Sequence, residues 1–427
     1  MSSTADEERA VASTGRVGSS SDEQTEDATR LAAGGTTAAA VAVAITHGMN
    51  DMYSAFLHPL LPRIMDRLGL NVALAATLAM TLSLGGSLVQ PAVGHLADRY
   101  GRRAFVVIGP AMSAVFMSLI GVAPSFIVLV VFLALAGLGS AAFHPPGSVI
   151  AASSGSSSTR GARYSFFSFS GSLGYAVGPL VAVAIVSRGG LERLPYAAIP
   201  MLLLLPIVFA VMPSGAHQRR QARHEEPAVS LREALRGPLA LVFGISAVSA
   251  FMQRVYLTMK PILVAETGGS EQAGATALSI YLGAQALGSL AGGMLADRMD
   301  RRHLLLWLSA LSMPAHALAF LLPAGSAGAL LSTMTAGFLN MALLPPLVLI
   351  AQELVPRGES LGAGIAMGAA WAAGSIAVLG IGVLADLIGV LAAALVAVPL
   401  TSLGVVLAWA LPADGRLEER ATRKGGG

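Results

Sequence analysis

Apolar residues occur along this chain in long blocks, and short polar stretches separate one block from the next. The blocks contain enough residues to cross a hydrocarbon layer about 30 Å thick as α-helices. The pattern therefore predicts an all-α membrane protein with twelve transmembrane helices. The predicted helices cover residues 37–62, 71–95, 103–122, 125–152, 161–188, 194–212, 238–263, 271–296, 303–322, 326–352, 359–386 and 389–411.

Polar segments divide the chain into two halves and two tails. Residues 1–36 are rich in Ser, Thr, Gly, Asp and Glu, which predicts a disordered cytoplasmic tail. No cleavable signal peptide is expected, because the first apolar block starts too late and is too long. A cytoplasmic linker is predicted at 213–237, between six-helix bundles at 37–212 and 238–412, and a second tail covers 413–427.

Composition supports membrane insertion and excludes several other classes of protein. Charged residues make up 12% of the chain, against about 25% in soluble domains, and the mean hydropathy is +0.69. There is no cysteine, which excludes disulfides, thiolate metal sites and a cysteine nucleophile. We expect no cofactor, no metal site and no nucleic-acid partner, since the net charge is only +3 and lies in the loops.

The distribution of Lys and Arg predicts the orientation. With both termini placed inside, the even-numbered connections and the C-terminal tail hold 18 Lys or Arg residues, and the odd-numbered connections hold five. Those five are Arg63, Arg67, Arg188, Arg193 and Lys260. Cytoplasmic loops carry the excess of positive charge, so both termini are predicted to be cytoplasmic.

A charged ten-residue motif occurs twice. Residues 94–103 contain one aspartate, three arginines and two glycines, and a weaker copy at 293–302 starts 199 residues later. Each copy is expected to form a tight turn where the chain leaves and re-enters the bilayer. Each aspartate is expected to cap a neighbouring helix and the arginines to bind lipid phosphates, which would hold one conformation closed. The predicted gating residues are Gly94, Asp98, Arg99, Gly101, Arg102, Gly293, Asp297 and Arg298.

Two further pairs of segments support an internal duplication. Residues 143–146 match 343–346 at an offset of 200, and residues 50–53 match 253–256 at an offset of 203. Repeats of this kind place two six-helix halves around a central binding site.

The first predicted helix carries a polar stripe formed by His47, Asp51, Ser54 and His58. At 100° per residue these side chains share one face, which suits either the wall of an aqueous pathway or a hydrogen-bonded seam between helices. Apolar surroundings disfavour a charged carboxylate, so Asp51 is expected to exchange a proton near neutral pH. His47 would share or position that proton.

Arg254 in the seventh predicted helix corresponds to Asp51 in the duplicated pattern. We hypothesise that the two residues pair in the empty protein and separate when an anionic substrate binds the arginine. A guanidinium group fits the oxygens of a carboxylate, phosphate or phosphonate. A permanent structural ion pair is the alternative.

Weaker polar stripes on the second, fifth and eighth helices extend the candidate site, although small hydroxyl residues in membranes often serve helix packing instead. His144 is a candidate proton relay, or alternatively a cap for backbone carbonyls freed by Pro145. The predicted substrate-binding residues are Asn50, Tyr53, Ser54, His58, Gln90, Ser168, Ser172, Tyr175, Arg254, Tyr256 and Gln285.

Several of these stretches resemble a known transporter family. The motif at 94–103 is similar to the signature loop between helices 2 and 3 of the major facilitator superfamily. Residues 47–62, 89–91, 143–145 and 169–179 resemble the fosmidomycin-resistance branch of that superfamily. The resemblance implies the major facilitator fold. It also implies export of drugs or metabolites from the bacterial cytoplasm in exchange for protons, and hence antibiotic resistance.

The fifth helix contains part of a second family motif. Gly174, Gly178 and Pro179 look like the motif of drug/proton antiporters, but the glycine pair that usually follows is absent. Pro146 stands where the branch often has an acidic residue, and Ser172 stands where it usually has Asn. If that acidic group carries protons elsewhere, this chain must use Asp51 or a histidine, or lack proton coupling.

We therefore predict a secondary transporter, not an enzyme, that works by alternating access as a monomer in the bacterial inner membrane. Its partners would be a small-molecule substrate, protons and the lipid bilayer. A proton-coupled importer of a small organic anion or sugar is the first alternative. A membrane enzyme and a non-transporting receptor are weaker alternatives, because the chain shows no nucleotide loop, metal-ligand cluster or nucleophile–base pair and has short loops.

Overall fold

The computed structural model describes residues 37–153, 160–212, 237–355 and 359–413. The predicted tail at 1–36, nearly all of the predicted linker and the C-terminal tail from residue 414 lie outside these ranges.

The described residues form twelve helical segments, which confirms the predicted helix number. Ten of them, α3 to α12, are long and apolar enough to cross a membrane. In the first half, the segments are α1 (37–54 and Leu57–Leu68), α2 (Val72–Ser87 and Gln90–Tyr100), α3 (Arg102–Leu119 and Ile120–Val122), α4 (Phe126–Ser153), α5 (Arg160–Val186) and α6 (Leu191–Ala197 and Ala198–Val211). In the second half, they are α7 (Pro238–Glu266), α8 (Glu271–Ala296), α9 (Arg301–Leu321), α10 (Ala327–Ala342 and Leu344–Leu354), α11 (Glu359–Gly364, Ile365–Ala369 and Ala370–Ile388) and α12 (Val390–Leu400 and Ser402–Ala410).

Prolines explain the interruptions in α1, α2 and α10. A proline has no backbone N–H, and its ring clashes with the carbonyl four residues earlier. Pro59 follows the break at 55–56, Pro91 follows the break at 88–89, and Pro345 follows the break at Leu343. These bends leave α1 and α2 as two shorter helical pieces each.

Three cations that were assigned to connections lie inside helices. Arg63 and Arg67 belong to α1, which continues to Leu68 rather than ending at residue 62. Lys260 is buried in α7, which continues to Glu266. Arg63 and Arg67 lie near the end of a kinked helix, which resembles a loop in a hydropathy pattern. Lys260 was counted with a connection although the predicted helix at 238–263 contains it, so all three assignments were wrong.

The helices pack as two halves, α1–α6 and α7–α12. Within the first half, α4 packs against both α2 and α3; within the second half, α10 packs against both α8 and α9. The halves meet where α2 packs against α11, α5 against α8, and α1 against α7. This duplicated arrangement confirms the predicted fold class.

The signature motifs at 94–103 and 293–302 define one end of the molecule, called here the signature-loop end. The first motif is mostly helical, because α2 continues to Tyr100 and α3 starts at Arg102. The turn between them is the single residue Gly101, whose φ of +105° is unfavourable for residues with a side chain. The predicted ten-residue turn is thus reduced to one glycine.

The predicted capping role of the motif aspartates is not seen in the second copy. The N-terminus of α9 is capped by Asp300, whose carboxylate accepts a hydrogen bond of 3.0 Å from the His303 N–H. Asp297 is exposed, and its carboxylate has no hydrogen bond to another described residue. The side chain of Asp98 lies outside the described part of the chain.

The last arginine of each motif holds an equivalent carbonyl in its own half. Arg103 donates two hydrogen bonds, of 2.6 and 3.1 Å, to the Phe209 carbonyl at the end of α6. Arg302 donates one of 2.7 Å to the Trp409 carbonyl at the end of α12. Both arginines therefore satisfy a helix C-terminus, and this contact is duplicated with the sequence.

Polar contacts join the two halves toward the end opposite the signature loops. Asp386 of α11 accepts hydrogen bonds from the Val72 N–H at 2.8 Å and the Ala73 N–H at 3.0 Å, and so caps α2 from the other half. Arg63 pairs with Glu271 of α8. Near mid-helix the Ser83 and Ser375 hydroxyls are 2.7 Å apart. These contacts hold the halves together at the opposite end.

Helices α5 and α8, which pack against each other farther along, carry exposed apolar side chains at the signature-loop end. On α5 these include Phe166 and Phe169, and on α8 Leu290 and Met294. Farther along, α5 and α8 are in contact near Gly283. The contacts between the two halves in the described ranges therefore lie near mid-helix and at the opposite end, called here the closed end.

We expect Asp386→Asn to weaken this closure. An asparagine is a neutral acceptor and can no longer bond both N–H groups through carboxylate oxygens, at a cost of about 1–2 kcal/mol. That would change the ratio of closed to open protein about 5- to 30-fold. Spin labels on cysteines introduced at Arg188 and Thr267 would measure the distance across this end, since the chain has no native cysteine.

Asn71→Ala is the matched control for the Asp386 experiment. Asn71 caps the same helix by accepting from the Leu74 N–H at 2.9 Å, but it belongs to the same half. Its loss should lower thermal stability without opening the interface. An unchanged distance distribution in Asp386→Asn, or equal opening in both variants, would contradict the role assigned to Asp386.

Candidate functional site

Three titratable side chains meet in the first half of the molecule. His47 and Asp51 lie one turn apart on α1, and His144 lies on α4. His47 Nε2 is 3.2 Å from one carboxylate oxygen of Asp51, and His144 Nε2 is 3.1 Å from the other. The structure thus brings together the three residues predicted to carry protons, with one imidazole on each carboxylate oxygen. We call these three residues the proton cluster.

Backbone carbonyls hold the outer nitrogen of each imidazole. His47 Nδ1 is 2.7 Å from the Phe167 carbonyl oxygen, and the two rings stack with centroids 4.0 Å apart. His144 Nδ1 is 2.7 Å from the Ser140 carbonyl oxygen and 3.3 Å from the Ser140 hydroxyl. A carbonyl oxygen can only accept, so each Nδ1 must carry a hydrogen. Both Nε2 atoms are consequently directed at Asp51.

This arrangement limits the protonation states of the cluster. With Nδ1 protonated, each Nε2 carries either a lone pair or a second hydrogen. A hydrogen bond between Nε2 and the carboxylate therefore needs one proton in each of the two contacts. Two such protons give the cluster a net charge of +1, and one gives a net charge of zero. When one proton leaves, a lone pair faces a carboxylate oxygen, and that contact becomes repulsive.

Asn50 fixes the carboxylate from a third side. Its Nδ2 donates to an Asp51 oxygen at 3.0 Å and to the Ser140 hydroxyl at 3.2 Å, and the side chain is fully buried. Asn50 was predicted to bind substrate, but its donor is occupied by Asp51 and Ser140. It positions Asp51 relative to α4.

Access to the proton cluster differs among its members. The exposed fraction of the side chain is 8% for His47, 19% for Asp51 and 28% for His144. His144 is therefore the most accessible of the three side chains. The polar stripe of α1 is partly the hydrogen-bonded seam that was left open as an alternative, because His47 and Asp51 contact α4 and α5. Its later member His58 lies beyond the helix break and is also buried.

Glycines of α5 allow α1 to approach closely enough for these contacts. A Cβ on Gly174 would overlap the Gly48 carbonyl oxygen, and a Cβ on Gly171 would overlap the His47 ring. A Cβ on Gly178 would lie against α1 near Ala55. The interpretation of Gly174 and Gly178 as a helix-contact motif is confirmed. The glycines also set the position of His47.

The cluster atoms are also close enough to one another to hold a metal ion, since they all lie within 4.8 Å. The two separations between Nε2 and the carboxylate, 3.1 and 3.2 Å, are those of hydrogen bonds. We therefore treat the cluster as a site for protons and assign no metal ligand.

Arg254 of α7 does not pair with Asp51, contrary to the hypothesis drawn from the sequence. Asp51 is occupied by the two histidines, and the structure has no ion pair between Asp51 and Arg254. Arg254 is 9% exposed and lies with its guanidinium carbon 5.6 Å from the centre of the Trp371 ring. Its Nε has no hydrogen-bond partner among the described residues. Both pairing schemes, alternating and permanent, are absent from this conformation.

The second half has a chain of neutral amides where the first half has the proton cluster. Asn340 Nδ2 donates to the Ser249 carbonyl at 3.0 Å, which fixes the amide orientation because that oxygen can only accept. Gln285 then donates to Asn340 at 3.1 Å, and Gln253 donates to Gln285 at 2.8 Å. Gln285 was predicted to bind substrate, but both ends of its amide are used inside the bundle.

Two predicted tyrosine contacts are also occupied within their own halves. The Tyr53 hydroxyl donates to the Ala197 carbonyl at 2.6 Å, and the Tyr256 hydroxyl is 2.8 Å from that of Thr333. Both side chains are fully buried. Neither tyrosine offers a surface for substrate in this conformation.

The remaining predicted substrate-binding residues divide by exposure. Ser168 is exposed, and Ser172 and Tyr175 on the same helix are half-buried. Gln90 is half-buried and donates to the Gly86 carbonyl at 2.6 Å, and Ser54 bonds the Asn50 carbonyl at 3.1 Å. Ser168, Ser172 and Tyr175, called here the α5 stripe, therefore remain open for substrate contact. The side chains of Gln90 and Ser54 each form a hydrogen bond with a carbonyl of their own helix.

Sequence analysis missed two features of this region. Lys260 is 2% exposed and its ammonium donates to the Ala319 carbonyl at 2.6 Å, near the C-terminus of α9. His316, which had no assigned place, lies between the Tyr281 hydroxyl at 3.0 Å and the Ser312 carbonyl at 2.8 Å. Lys260 falls within the predicted seventh helix at 238–263, but its burial and its carbonyl partner on α9 depend on packing that the sequence does not show.

The described residues form twelve helical segments in two duplicated halves, and ten of the segments are long and apolar enough to cross a membrane. This arrangement is typical of a multi-pass membrane transporter. A sequence model described as "Major Facilitator Superfamily" matches residues 43–258 and 239–426. The chain therefore belongs to the Major Facilitator Superfamily. This family and the relatives below are membrane transporters rather than enzymes.

Two curated bacterial relatives match most of the chain. It is 26% identical over 353 residues to the fosmidomycin resistance protein of Escherichia coli (strain K12), covering 81% of this chain and 86% of that protein. It is 28% identical over 395 residues to the uncharacterized MFS-type transporter YfnC of Bacillus subtilis (strain 168), covering 89% and 94%. The first match bears out the resemblance to the fosmidomycin-resistance branch.

Solved structures agree with the fold. An inward-facing, unoccupied bacterial homolog of the human lysosomal transporter Spinster superposes with a TM-score of 0.72 at 15% identity, covering 91% of this chain and 97% of that chain. The inward-open xylose transporter XylE from E. coli superposes with a TM-score of 0.70 at 16% identity, covering 91% and 99%. At these identities the comparison shows the fold alone.

Proposed function

We propose that the protein is a proton-coupled secondary transporter that exports small drugs or metabolites by alternating access. The proton cluster of His47, Asp51 and His144 would bind and release the coupling proton. Arg254 and the α5 stripe of Ser168, Ser172 and Tyr175 would contact the substrate.

The observation that carries the proposal is the position of both Nε2 atoms on one carboxylate. Loss of one proton changes the cluster charge from +1 to zero and makes one contact repulsive. Because the three residues and their carbonyl partners lie on α1, α4 and α5, relief of that repulsion moves these helices relative to one another. A proton is thereby linked to the packing of the first half.

Two further points support export as the direction. The close contact of α5 with α1 through Gly174 and Gly178 accompanies the motif similar to that of drug/proton antiporters. A relative that covers 81% of this chain is a fosmidomycin resistance protein, and removal of an antibiotic from the cell is the simplest means by which a transporter gives resistance.

The same proposal includes topology and location. We place both termini in the cytoplasm of a bacterial cell. The basis is the 18 Lys and Arg residues in the predicted even-numbered connections and the C-terminal tail, against five in the predicted odd-numbered connections, three of which the structure places inside helices. The signature-loop end then faces the cytoplasm and the closed end faces outward. Residues 37–212 and 238–412 would be the two bundles, 213–237 the linker, and the functional unit a monomer.

A second candidate function is proton-coupled import of a small organic anion. It is compatible with Arg254, a buried cation with no ion pair among the described residues, which suits an anionic substrate moving in either direction. Export in exchange for protons moves the substrate against the direction of proton flow, whereas proton-coupled import moves both in the same direction.

Flux in proteoliposomes tests the proposal. The purified protein is reconstituted, a pH gradient is imposed, and movement of a phosphonate antibiotic and several unrelated drugs is followed. We expect substrate to accumulate against its gradient on the side from which protons leave. Collapse of the gradient with a protonophore is the control and should stop accumulation.

Two results would count against proton-coupled export. Flux that is unaffected by the pH gradient would remove the coupling. Accumulation of substrate on the side that the protons enter would favour the importer.

A further inference from the structure

A buried positive charge without a partner lies in the second half of the molecule. Arg254 is 91% removed from solvent, and no hydrogen bond or ion pair connects it to another residue of the described ranges. Insertion of a charged side chain at the centre of a membrane costs about 2.5–3.5 kcal/mol, so such residues normally have a partner or a functional ligand. The charge of Arg254 is therefore available to a ligand.

The groups around Arg254 belong to both halves. The Trp371 ring of α11 lies 5.6 Å from the guanidinium carbon, which supports the cation without neutralising it. Trp371 lies two residues after the end of a π-helical turn at Ile365–Ala369, a feature frequent at functional sites. His58 of α1 is 3% exposed, its Nδ1 has no hydrogen-bond partner among the described residues, and the part of α1 that carries it packs against α7.

We propose that Arg254, Trp371 and His58 form a binding site for the anionic group of the substrate, and that this site is separate from the proton cluster. The ligand class is a small organic anion with a carboxylate or phosphonate group. The guanidinium fork would bind two of its oxygens, and His58 would complete the site from the other half.

The separation follows from the contacts of Asp51. Its two oxygens are held by His47 and His144 within the first half, whereas Arg254 lies on α7 and forms no ion pair or hydrogen bond with any of these three described residues. An anion therefore reaches Arg254 without displacing a carboxylate. Substrate and proton are then linked through movement of the halves rather than through competition for one ion pair. This inference rests on the proposed function only in supposing that the bound anion is transported.

Fluorescence of Trp371 provides a direct test of binding. The chain has three tryptophans, and Trp307→Phe with Trp409→Phe leaves Trp371 as the only one. Both replaced side chains are exposed, and the Trp409 contact to Arg302 uses the backbone carbonyl. The protein in lipid nanodiscs would be titrated with benzoate, with phenylphosphonate and with neutral benzamide. Thermal unfolding checks that every variant is folded.

We expect benzoate or phenylphosphonate to change Trp371 emission in a saturable manner and benzamide to have no effect. Arg254→Gln should lower the affinity for the anion about 10- to 100-fold, which corresponds to the loss of one or two charge-assisted hydrogen bonds. Arg254→Lys keeps the charge but loses the guanidinium fork, so its affinity for the anion should lie between those of the parent and Arg254→Gln. Lys260→Met removes another buried cation from the same helix and should leave the affinity unchanged. Asp51→Asn should change the affinity less than Arg254→Gln does, because it acts only through the linkage between the halves.

Each contrary result has a definite meaning. The anion site is wrong if benzamide binds as well as benzoate, if neither anion gives a saturable change, or if folded Arg254→Gln keeps the parent affinity. The separation of sites is wrong if Asp51→Asn weakens the anion as much as Arg254→Gln. Anion binding without any proton-driven flux would overturn the proposed function while leaving this site intact.

Discussion

Asp51→Asn is expected to reduce proton-driven flux to the level of protein-free liposomes. The asparagine has nearly the same shape but cannot hold a negative charge between two imidazoles, so the cluster loses its central acceptor for two protons. Its Nδ2 can only donate, and one of the histidines would have to turn its lone pair toward it. The measurement is uptake or release of a phosphonate antibiotic in proteoliposomes under an imposed pH gradient.

Asp66→Asn is the matched control for this prediction. Asp66 lies on the same helix, is exposed near the opposite end and takes no part in the cluster. The Asp66→Asn variant should show the same proton-driven flux as the parent protein. Equal flux in Asp51→Asn and the parent would exclude Asp51 as the proton carrier. His144→Gln and His47→Gln would then show whether either histidine carries the proton alone.

Gly174→Val is expected to have the largest effect on stability. The Cβ of a residue at position 174 would overlap the backbone oxygen of Gly48, and a backbone atom cannot move aside as a flexible side chain can. Helices α1 and α5 would have to separate, at a cost of about 3 kcal/mol or more. His47 would also lose its carbonyl partner on α5. The measurement is thermal unfolding in detergent together with the yield of folded protein.

Gly380→Val provides the control for that substitution. Gly380 also lies in the middle of a membrane helix, but a Cβ there would meet no atom within 4 Å. Valine should be tolerated at this position, with a change in stability close to zero. If Gly174→Val unfolded at the same temperature as Gly380→Val, the close contact between α1 and α5 would not be a determinant of the fold.

The duplicated architecture could be predicted because it depends on repeated local patterns. Each apolar block of about 20 residues must form a helix in lipid, since its backbone groups have no other partners. The offsets of 199, 200 and 203 residues between matching segments reveal two halves without any knowledge of contacts. The arginines that end the two motifs even make the same contact with a helix carbonyl in both halves.

The partners of individual polar residues could not be predicted in the same way. Helical periodicity placed His47 and Asp51 on one face of α1, and the structure shows them in contact. Periodicity could not decide which helix faces them, and the partner proved to be His144 of α4 rather than Arg254 of α7. A pseudo-symmetric position relates two residues by rotation, which does not require that they touch.

The sequence by itself determined the membrane location, the twelve helices, the duplicated halves and the identity of the proton-cluster residues. These properties follow from hydropathy, periodicity and repetition, all of which are local in the chain. Only the tertiary structure decided that Asp51 is shared by two histidines, that Arg254 has no ion pair among the described residues, and that Lys260 is buried. Those facts depend on which helix faces pack together. Packing is set by small residues such as Gly174 and by proline bends, acting between segments far apart in sequence.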